Sequence, residues 1–299
     1  MIAVFNGFIA APAGNVARRV GGLLLVAVAC ILLCSCTVLE ERDVCPNYLA
    51  VDFTGVDKSI KEWQMWLFNN VGELIFKDTV YRRSYPTPYI VNVPRYRNVR
   101  CLLWGNLRGA THIDEHYSYD TFIEKIEEAS ADSVYFFTDT ISTKGENSYL
   151  KVIPEKEFAT VDIYVKGWAG SDYEAEMVLE CASSGYYVGR ELGSSRTSIK
   201  ADIFDIGNYF THFRCRMLRQ KDTENMVLKL FIRDLNADGT LGDVLVDRQL
   251  PLGEYLFENG YDMHKASLDD IVMEVDYSYN RFVIKVSDWE ATYKMEEEI

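Results

Sequence analysis

The residues best spaced for catalysis in this chain are two histidines and a glutamate in one short polar stretch. His112, Glu115 and His116 fit the pattern H-x-x-E-H, in which two histidines hold zinc and a glutamate polarises the metal-bound water. That chemistry requires both histidines on one face of a helix, held by supporting side chains. The stretch follows Gly109 and has Ile113 as its one apolar residue, so exposed loop histidines are the favoured interpretation. We predict no metal site here, and a zinc hydrolase is the alternative.

A second stretch carries oxygen ligands at alternate positions. Asp234, Asn236 and Asp238 precede Gly239, as in the first half of a calcium-binding EF-hand loop. The acid expected at the twelfth position is replaced by Leu245, and strand-like residues flank the stretch. Because Asp, Asn and Gly all favour turns, a hairpin connection is the favoured interpretation. A weak calcium site is the alternative, and no other cofactor is expected.

Other catalytic and nucleotide-binding patterns are absent from the sequence. Neither a G-x-S-x-G nucleophile elbow nor a glycine-rich phosphate loop occurs. His212 and His264 have no cysteine or serine motif around them. We therefore predict no nucleotide partner and name no catalytic residues, although the abundant carboxylates leave a catalytic pair open.

Met1–Cys36 has the features of a bacterial lipoprotein export signal. Arg18 and Arg19 precede an apolar run, which closes on the small residues before Cys36. This run is too short for a membrane-spanning helix, which needs about 20 residues. We predict that residues 1–35 are a signal peptide and that Cys36 becomes the lipidated first residue, carrying acyl chains such as palmitate. A cleaved signal without lipid is the alternative.

Acidic residues outnumber basic residues. The chain has 31 Lys and Arg against 45 Asp and Glu, a formal net charge of −14. Removal of the signal takes away Arg18 and Arg19 and leaves 29 basic against 45 acidic residues, a net charge of −16. No nucleic-acid partner is predicted, because such a partner requires clustered basic charge. The covalent lipid is therefore the expected link to the membrane.

Four cysteines remain after Cys36 in a chain that is expected to reach an oxidising compartment: Cys45, Cys101, Cys181 and Cys215. They allow three pairings. Cys45 with Cys101 and Cys181 with Cys215 would place one disulfide in each predicted domain. Four separate buried thiols are the alternative, because wide spacing does not fix disulfide geometry.

The elements that must position these residues are mainly β-strands. Short runs of alternating apolar and polar residues, separated by turn residues, are typical of antiparallel sheets that are solvated on one face. Asn69, Asn70 and Gly72 between two apolar runs predict a hairpin. The pattern as a whole predicts an all-β, mainly antiparallel sandwich fold. The predicted strands include Leu49–Phe53, Trp63–Phe68, Tyr89–Val93, Val99–Trp104, Val161–Val165, Glu174–Cys181, Phe213–Leu218, Met226–Arg233, Ile271–Tyr277 and Phe282–Val286.

One helix is predicted in the first half of the chain. In Tyr119–Ala129, Phe122, Ile123 and Ile126 make an apolar face, and charged residues fill the other face. It is the only element in which the spacing of the apolar residues favours the helical period near 3.6 over the strand period of two.

The chain is long enough for two ordinary cores. Residues 36–44 form an acidic tether, and the charges around Pro154 mark a boundary. We predict one domain over residues 45–153 and a second over residues 154–299.

Five tryptophans offer an alternative function. Trp63, Trp66, Trp104, Trp168 and Trp289 could form a stacking platform for glycans. Most of them lie in or beside apolar strands, where burial is the default for aromatic residues. Core packing is therefore favoured over a glycan-binding surface lipoprotein.

The order of features resembles the FimB-type family of Bacteroidales fimbrial proteins, the lipoprotein subunits that anchor fimbriae and help to assemble them. The acidic tether also resembles the surface-export signal of Bacteroides lipoproteins, although a solvated linker has the same composition. The stretches that carry the family resemblance are Cys36 followed by Cys45-Pro46 and Tyr48–Phe53, then Trp66–Leu74, Val99–Asn106 and Phe282–Trp289.

The resemblance implies two transthyretin-like Greek-key β-sandwich domains, attachment to the outer membrane at the base of a fimbrium, and no enzymatic activity. It also implies fimbrial stalk subunits as partners, joined by strand complementation. The related stalk subunits are cut by an arginine-specific protease, and Arg42, Arg82 and Arg83 are the candidates here. Cleavage at Arg82 or Arg83 would sever the body from the lipid on Cys36, so we expect an uncut anchor. An adhesin displayed without a filament is the alternative.

Overall fold

Burial along the strands follows the period of two that the sequence predicts. In the strand Phe158–Lys166, the side chains of Ala159, Val161, Ile163 and Val165 are completely buried. Successive side chains of a strand point to opposite faces, so this run covers one core. The computed structural model describes residues 45–82, 88–113, 122–126, 128–167, 172–189, 191, 193–205, 210–220, 225–276, 281–286 and 289–294.

The first half of the chain contributes a two-sheet sandwich. Its sheets have the strand orders β4-β1-β9 and β10-β8-β5-β2-β3. They enclose a core that includes Leu49, Trp63 and Leu103. The strands are β1 (Asn47–Asp52), β2 (Glu62–Phe68), β3 (Leu74–Tyr81), β4 (Tyr89–Val93), β5 (Val99–Gly105), β6 (Thr111–Ile113), β7 (Phe122–Lys125), β8 (Tyr135–Ile141), β9 (Asn147–Lys151) and β10 (Glu155–Lys156).

The second half contributes a larger sandwich. Its sheets have the orders β15-β16-β11-β19-β20-β21 and β14-β12-β17-β18. Phe213, Leu228 and Met273 are among its completely buried residues. The elements are β11 (Phe158–Lys166), β12 (Tyr173–Cys181), β13 (Gly185–Tyr187), β14 (Thr197–Lys200), β15 (Asp202–Asp205), β16 (Phe210–Leu218), β17 (Val227–Leu235), β18 (Leu241–Leu250), α1 (Leu252–Glu258), β19 (Ile271–Asp276), β20 (Arg281–Val286) and β21 (Trp289–Lys294).

A third sheet crosses between the halves. Its order is β13-β7-β6, so β13 of the second half pairs with β7 of the first half, and β7 also pairs with β6. A separate core lies beneath it and contains Trp66, Trp104, Tyr186 and Leu218, drawn from both halves. Pro46–Ile299 accordingly forms one compact unit.

A buried ion pair lies where the first sandwich ends and the second begins, since Glu157 stands between β10 and β11. Arg219 and Glu157 have side chains that are 3 % and 1 % exposed. Arg219 Nε donates to Glu157 Oε2 at 2.7 Å, and Arg219 Nη2 donates to Glu157 Oε1 at 3.2 Å. The same guanidinium donates to the carbonyl oxygens of Met263, Lys265 and Ala266. We call Glu157 and Arg219 the joint pair.

The mainly antiparallel all-β sandwich fold is confirmed, and the count of two domains stays a prediction. The predicted helix at Tyr119–Ala129 is wrong. Phe122–Lys125 is the strand β7, and the short helix of the described residues is Leu252–Glu258, in the second half. The rest of that prediction lies partly outside the described residues. The division at residues 153 and 154 stays a prediction, because β10 extends the first sandwich to Lys156.

Candidate assembly interface

The strand β18 lies at the edge of its sheet and is the longest of the described strands, at 10 residues. Within the described ranges it pairs with β17 alone. Leu241, Val244 and Leu245 on this strand are 56 %, 48 % and 42 % exposed. An edge strand presents unpaired backbone groups along one side, and exposed aliphatic side chains favour pairing with another chain. This edge is therefore the candidate site for a partner strand.

The charges on β18 restrict its partner. Asp243 and Asp247 lie on either side of Leu245, and both are exposed. If two copies of the chain paired antiparallel about Leu245, Asp243 of one copy would lie opposite Asp247 of the other. Like charges placed directly opposite each other destabilise a sheet. A strand with apolar residues flanked by Lys or Arg would complement β18 better than a second copy does.

The other edge strands among the described residues are all shorter than β18. The strands β14 and β15 have 4 residues each. The edge strand β3 is tied to β4 of the opposite sheet, because the Tyr89 hydroxyl donates to the Asp78 carboxylate. Burial and this hydrogen bond raise the pKa of Tyr89 to about 12. The sequence indicated strand-like residues near Val244 but could not place them at an edge, because sheet order depends on distant partners.

The predicted anchor lies outside the described residues. Cys36, the tether, Arg42 and Arg83 cannot be placed, whereas Cys45 is exposed directly before β1. Arg82 is half-buried. Its backbone N–H donates to the Lys61 carbonyl at 2.8 Å, and its Nη1 donates to the Asp57 carbonyl at 3.1 Å. These bonds hold Arg82 against its neighbours and disfavour proteolysis there.

The four body cysteines are free thiols in this structure. Burial raises the pKa of Cys101 and of Cys181 to about 12, and it raises the pKa of Cys215 further. Cys181 and Cys215 belong to one core and come from facing sheets. The predicted pairings stay predictions.

The zinc-hydrolase pattern is only partly described. His112 lies on the strand β6, and Glu115 and His116 lie outside the described residues. The helix that the zinc chemistry requires is therefore not present at His112. Among the described residues, no group of three or more His, Cys, Asp or Glu side chains is placed to hold a metal ion.

The EF-hand-like stretch forms the hairpin between β17 and β18, as the favoured interpretation expected. Asp238 Oδ1 accepts hydrogen bonds from Thr240 N at 3.0 Å and from Thr240 Oγ1 at 2.6 Å. These bonds lower the pKa of Asp238. Asn236 Nδ2 donates to Thr240 Oγ1 at 2.9 Å, so two of the three candidate calcium ligands already bond within the turn. Calcium binding stays a prediction.

Three of the five tryptophans are buried, as core packing predicts. Trp63, Trp66 and Trp104 are 0 %, 2 % and 0 % exposed and offer no surface to a glycan. Trp168 lies outside the described residues, and Trp289 lies on β21. Among the described residues, no helix is long and apolar enough to cross a membrane.

The geometry defines an all-β sandwich protein with an open edge strand. No protein-family model matches the chain, and no curated protein matches it. Solved structures do share the fold. The fimbrial anchor protein Mfa2 from Porphyromonas gingivalis aligns with a TM-score of 0.55 and 11 % identity, over 82 % of this chain and 99 % of that protein.

Two further structures resemble this chain to a similar degree. A candidate adhesin from Bacteroides ovatus has a TM-score of 0.58 and 11 % identity, over 85 % of this chain and 97 % of its own. A candidate polysaccharide-binding protein from Bacteroides thetaiotaomicron has a TM-score of 0.57 and 12 % identity, over 84 % and 99 % of the two chains. At these identities the likeness shows the fold, and none of the three is described as an enzyme.

Proposed function

We propose that this protein is a lipid-anchored fimbrial subunit. Cys36 attaches it to the outer membrane, and β18 holds the neighbouring subunit by strand pairing. The observation that carries the proposal is an exposed edge strand of 10 residues, in a fold that aligns with a fimbrial anchor protein over 99 % of its length. The lipoprotein signal supports the membrane end, and the acidic edge supports a partner strand with basic residues.

Strand pairing suits a subunit that must hold a polymer. Main-chain hydrogen bonds along an edge supply attachment, and alternating side chains fix the register. Leu241 and Leu245 offer apolar contacts to the incoming strand, and Asp243 and Asp247 select its charge. The bonds between the halves then carry tension from the filament towards the tether.

The anchor is tested by replacing Cys36 with alanine in the native host and counting filaments on cells and in the medium. Filaments shed into the medium support the proposal, because the root of the polymer has lost its lipid. An unchanged number on cells contradicts lipid anchoring. Loss of filaments from both places indicates failed export, which immunoblotting of the protein would detect.

The edge is tested separately by the substitution Leu245→Lys. This side chain is 42 % exposed, so the fold tolerates the change while the edge repels a basic partner strand. We expect the anchored protein to lose its filament. Phe257→Lys on α1, where the side chain is 66 % exposed, is the matched control and should keep it. Normal filaments on cells with the β18 variant would contradict strand pairing at this edge.

A surface adhesin that acts without a filament is the second candidate. The fold likeness to the candidate adhesin from Bacteroides ovatus favours it as a specific observation. An adhesin of this kind would not copurify with a filament, and neither substitution above would change the filaments on cells.

A further inference from the structure

Three aromatic side chains form a continuous row on the face of the six-stranded sheet that is opposite its core. The middle one, His212, is 5 % exposed, so the accessible ring surface belongs to Phe204 and Tyr164. Phe204 on β15 pairs in register with His212 on β16, which pairs with Tyr164 on β11. The ring centroids are 5.5 Å apart for Phe204 and His212, and 4.4 Å apart with rings 5° from parallel for Tyr164 and His212. The core lies on the other face, where Ile163 and Phe213 are completely buried. We call these three residues the ring row.

A buried carboxylate fixes the polar groups beside the ring row. Asp162 is 9 % exposed, and its Oδ1 lies 2.5 Å from His212 Nε2 and accepts a hydrogen bond from Arg214 Nε at 2.7 Å. The Arg214 guanidinium also lies over the Phe204 ring, 5.9 Å from its centroid. The donors and the rings therefore stand in fixed positions before any ligand arrives.

Hydrogen-bonding capacity is left over in this cluster. Within the described part of the chain, Asp162 Oδ2, the Tyr164 hydroxyl and the two terminal nitrogens of Arg214 have no partner. Phe204 is 45 % exposed, and the Arg214 side chain is 43 % exposed. Cross-strand packing would explain the contacts between the rings. Such packing also leaves the exposed ring of Phe204 beside the exposed guanidinium of Arg214, where one ligand can reach both.

A hexopyranose matches this combination of groups. One face of the sugar ring carries C–H groups that pack on an aromatic ring, and its rim carries hydroxyls that both donate and accept. We propose that the ring row, with Asp162 and Arg214, binds neutral hexopyranose units of a glycan. The neighbouring Asp202 and Glu274, which pair in register with Arg214 and Tyr164, disfavour anionic sugars. This site does not rest on the filament role and uses none of the predicted tryptophans.

Saturation-transfer NMR on the folded mature chain tests the site. The probes are maltohexaose, cellotetraose and mannotetraose, with an oligomer of polygalacturonate as the anionic comparison. We expect transfer to a neutral oligosaccharide, with affinity about tenfold weaker in Phe204→Ala, which corresponds to about 1.4 kcal/mol. Arg214→Gln should weaken binding as well.

Phe257→Ala is the matched control, since it removes another exposed phenylalanine, and it should bind as the unaltered protein does. Circular dichroism shows whether each variant is folded, and the exposure of Phe204 favours a folded variant. The proposal is overturned if no neutral probe receives saturation, if the polygalacturonate oligomer binds best, or if folded Phe204→Ala binds unchanged.

Discussion

Replacing Arg219 with methionine leaves the Glu157 carboxylate buried without its guanidinium partner. The two side chains are 3 % and 1 % exposed, so water cannot take over the lost interactions. Removing one partner of a buried ion pair typically costs about 3–5 kcal/mol. Three backbone carbonyls at residues 263, 265 and 266 also lose a charged donor. We expect a loss of about 4 kcal/mol, which is a large part of the roughly 5–15 kcal/mol that stabilises an ordinary domain.

Equilibrium unfolding in urea, followed by fluorescence of the buried tryptophans, measures this loss. Lys200→Met is the matched control: it breaks an ion pair with Glu176 whose side chains are 60 % and 44 % exposed. Exposed pairs contribute roughly 0–1 kcal/mol. Adding Glu157→Leu to Arg219→Met removes the unpaired carboxylate and should recover part of the loss. The reasoning is refuted if Arg219→Met costs no more than Lys200→Met.

Three other predictions concern single sites. Asp132→Ala should lower the free energy of unfolding, measured in urea, by about 1.5–3 kcal/mol. The reason is that Asp132 Oδ2 accepts hydrogen bonds from the backbone N–H groups of residues 108–111 at 2.9–3.1 Å. An unchanged free energy of unfolding would contradict this prediction. Gly185→Ala should destabilise the third sheet by about 1–3 kcal/mol, since the new Cβ would lie 2.0 Å from the Ile123 carbonyl oxygen. Gly189→Ala is the control and should leave the stability unchanged, because its new Cβ meets no atom within 4 Å. At pH 8, iodoacetamide should label Cys45 alone in the native body. After denaturation without a reductant, iodoacetamide should also label the buried thiols. Thiols that stay unlabelled would indicate disulfides that involve Cys101, Cys181 or Cys215.

Local pattern was sufficient to predict about half of the described strands but not the pairing of the third sheet. The predicted strand Glu174–Cys181 corresponds to β12, in which the alternating residues Met177, Leu179 and Cys181 are buried. The same reasoning failed at Phe122–Lys125, where a charged and apolar mixture suited a helix. That segment is a strand because β13, about sixty residues further along the chain, pairs with it. No local window contains that partner.

Among the candidate sites too, some features follow from the local sequence and others depend on residues far apart in the chain. Burial of Trp63, Trp66 and Trp104 follows from their apolar strands, and the hairpin at Asp234–Gly239 follows from turn chemistry. The ring row was not predicted, because Phe204, His212 and Tyr164 meet only through the register of three strands. His212 lacked a neighbouring catalytic motif in the sequence, and its partner Asp162 lies fifty residues away.

The bonds between the halves are what a subunit under tension requires. In the proposed function, force enters at β18 in the second half and leaves through the tether before β1. Its path crosses backbone bonds from Ala131 N to Arg216 O at 2.9 Å and from Lys200 N to Glu128 O at 3.1 Å. It also passes the joint pair, because Glu157 lies on the segment that connects β10 to β11. A protein that only displayed a glycan-binding face could tolerate two loosely linked domains. The buried joint pair therefore suits a subunit that transfers load better than a protein that only displays a binding face. Unchanged filament attachment in the Arg219→Met variant, despite its predicted loss of stability, would contradict this inference.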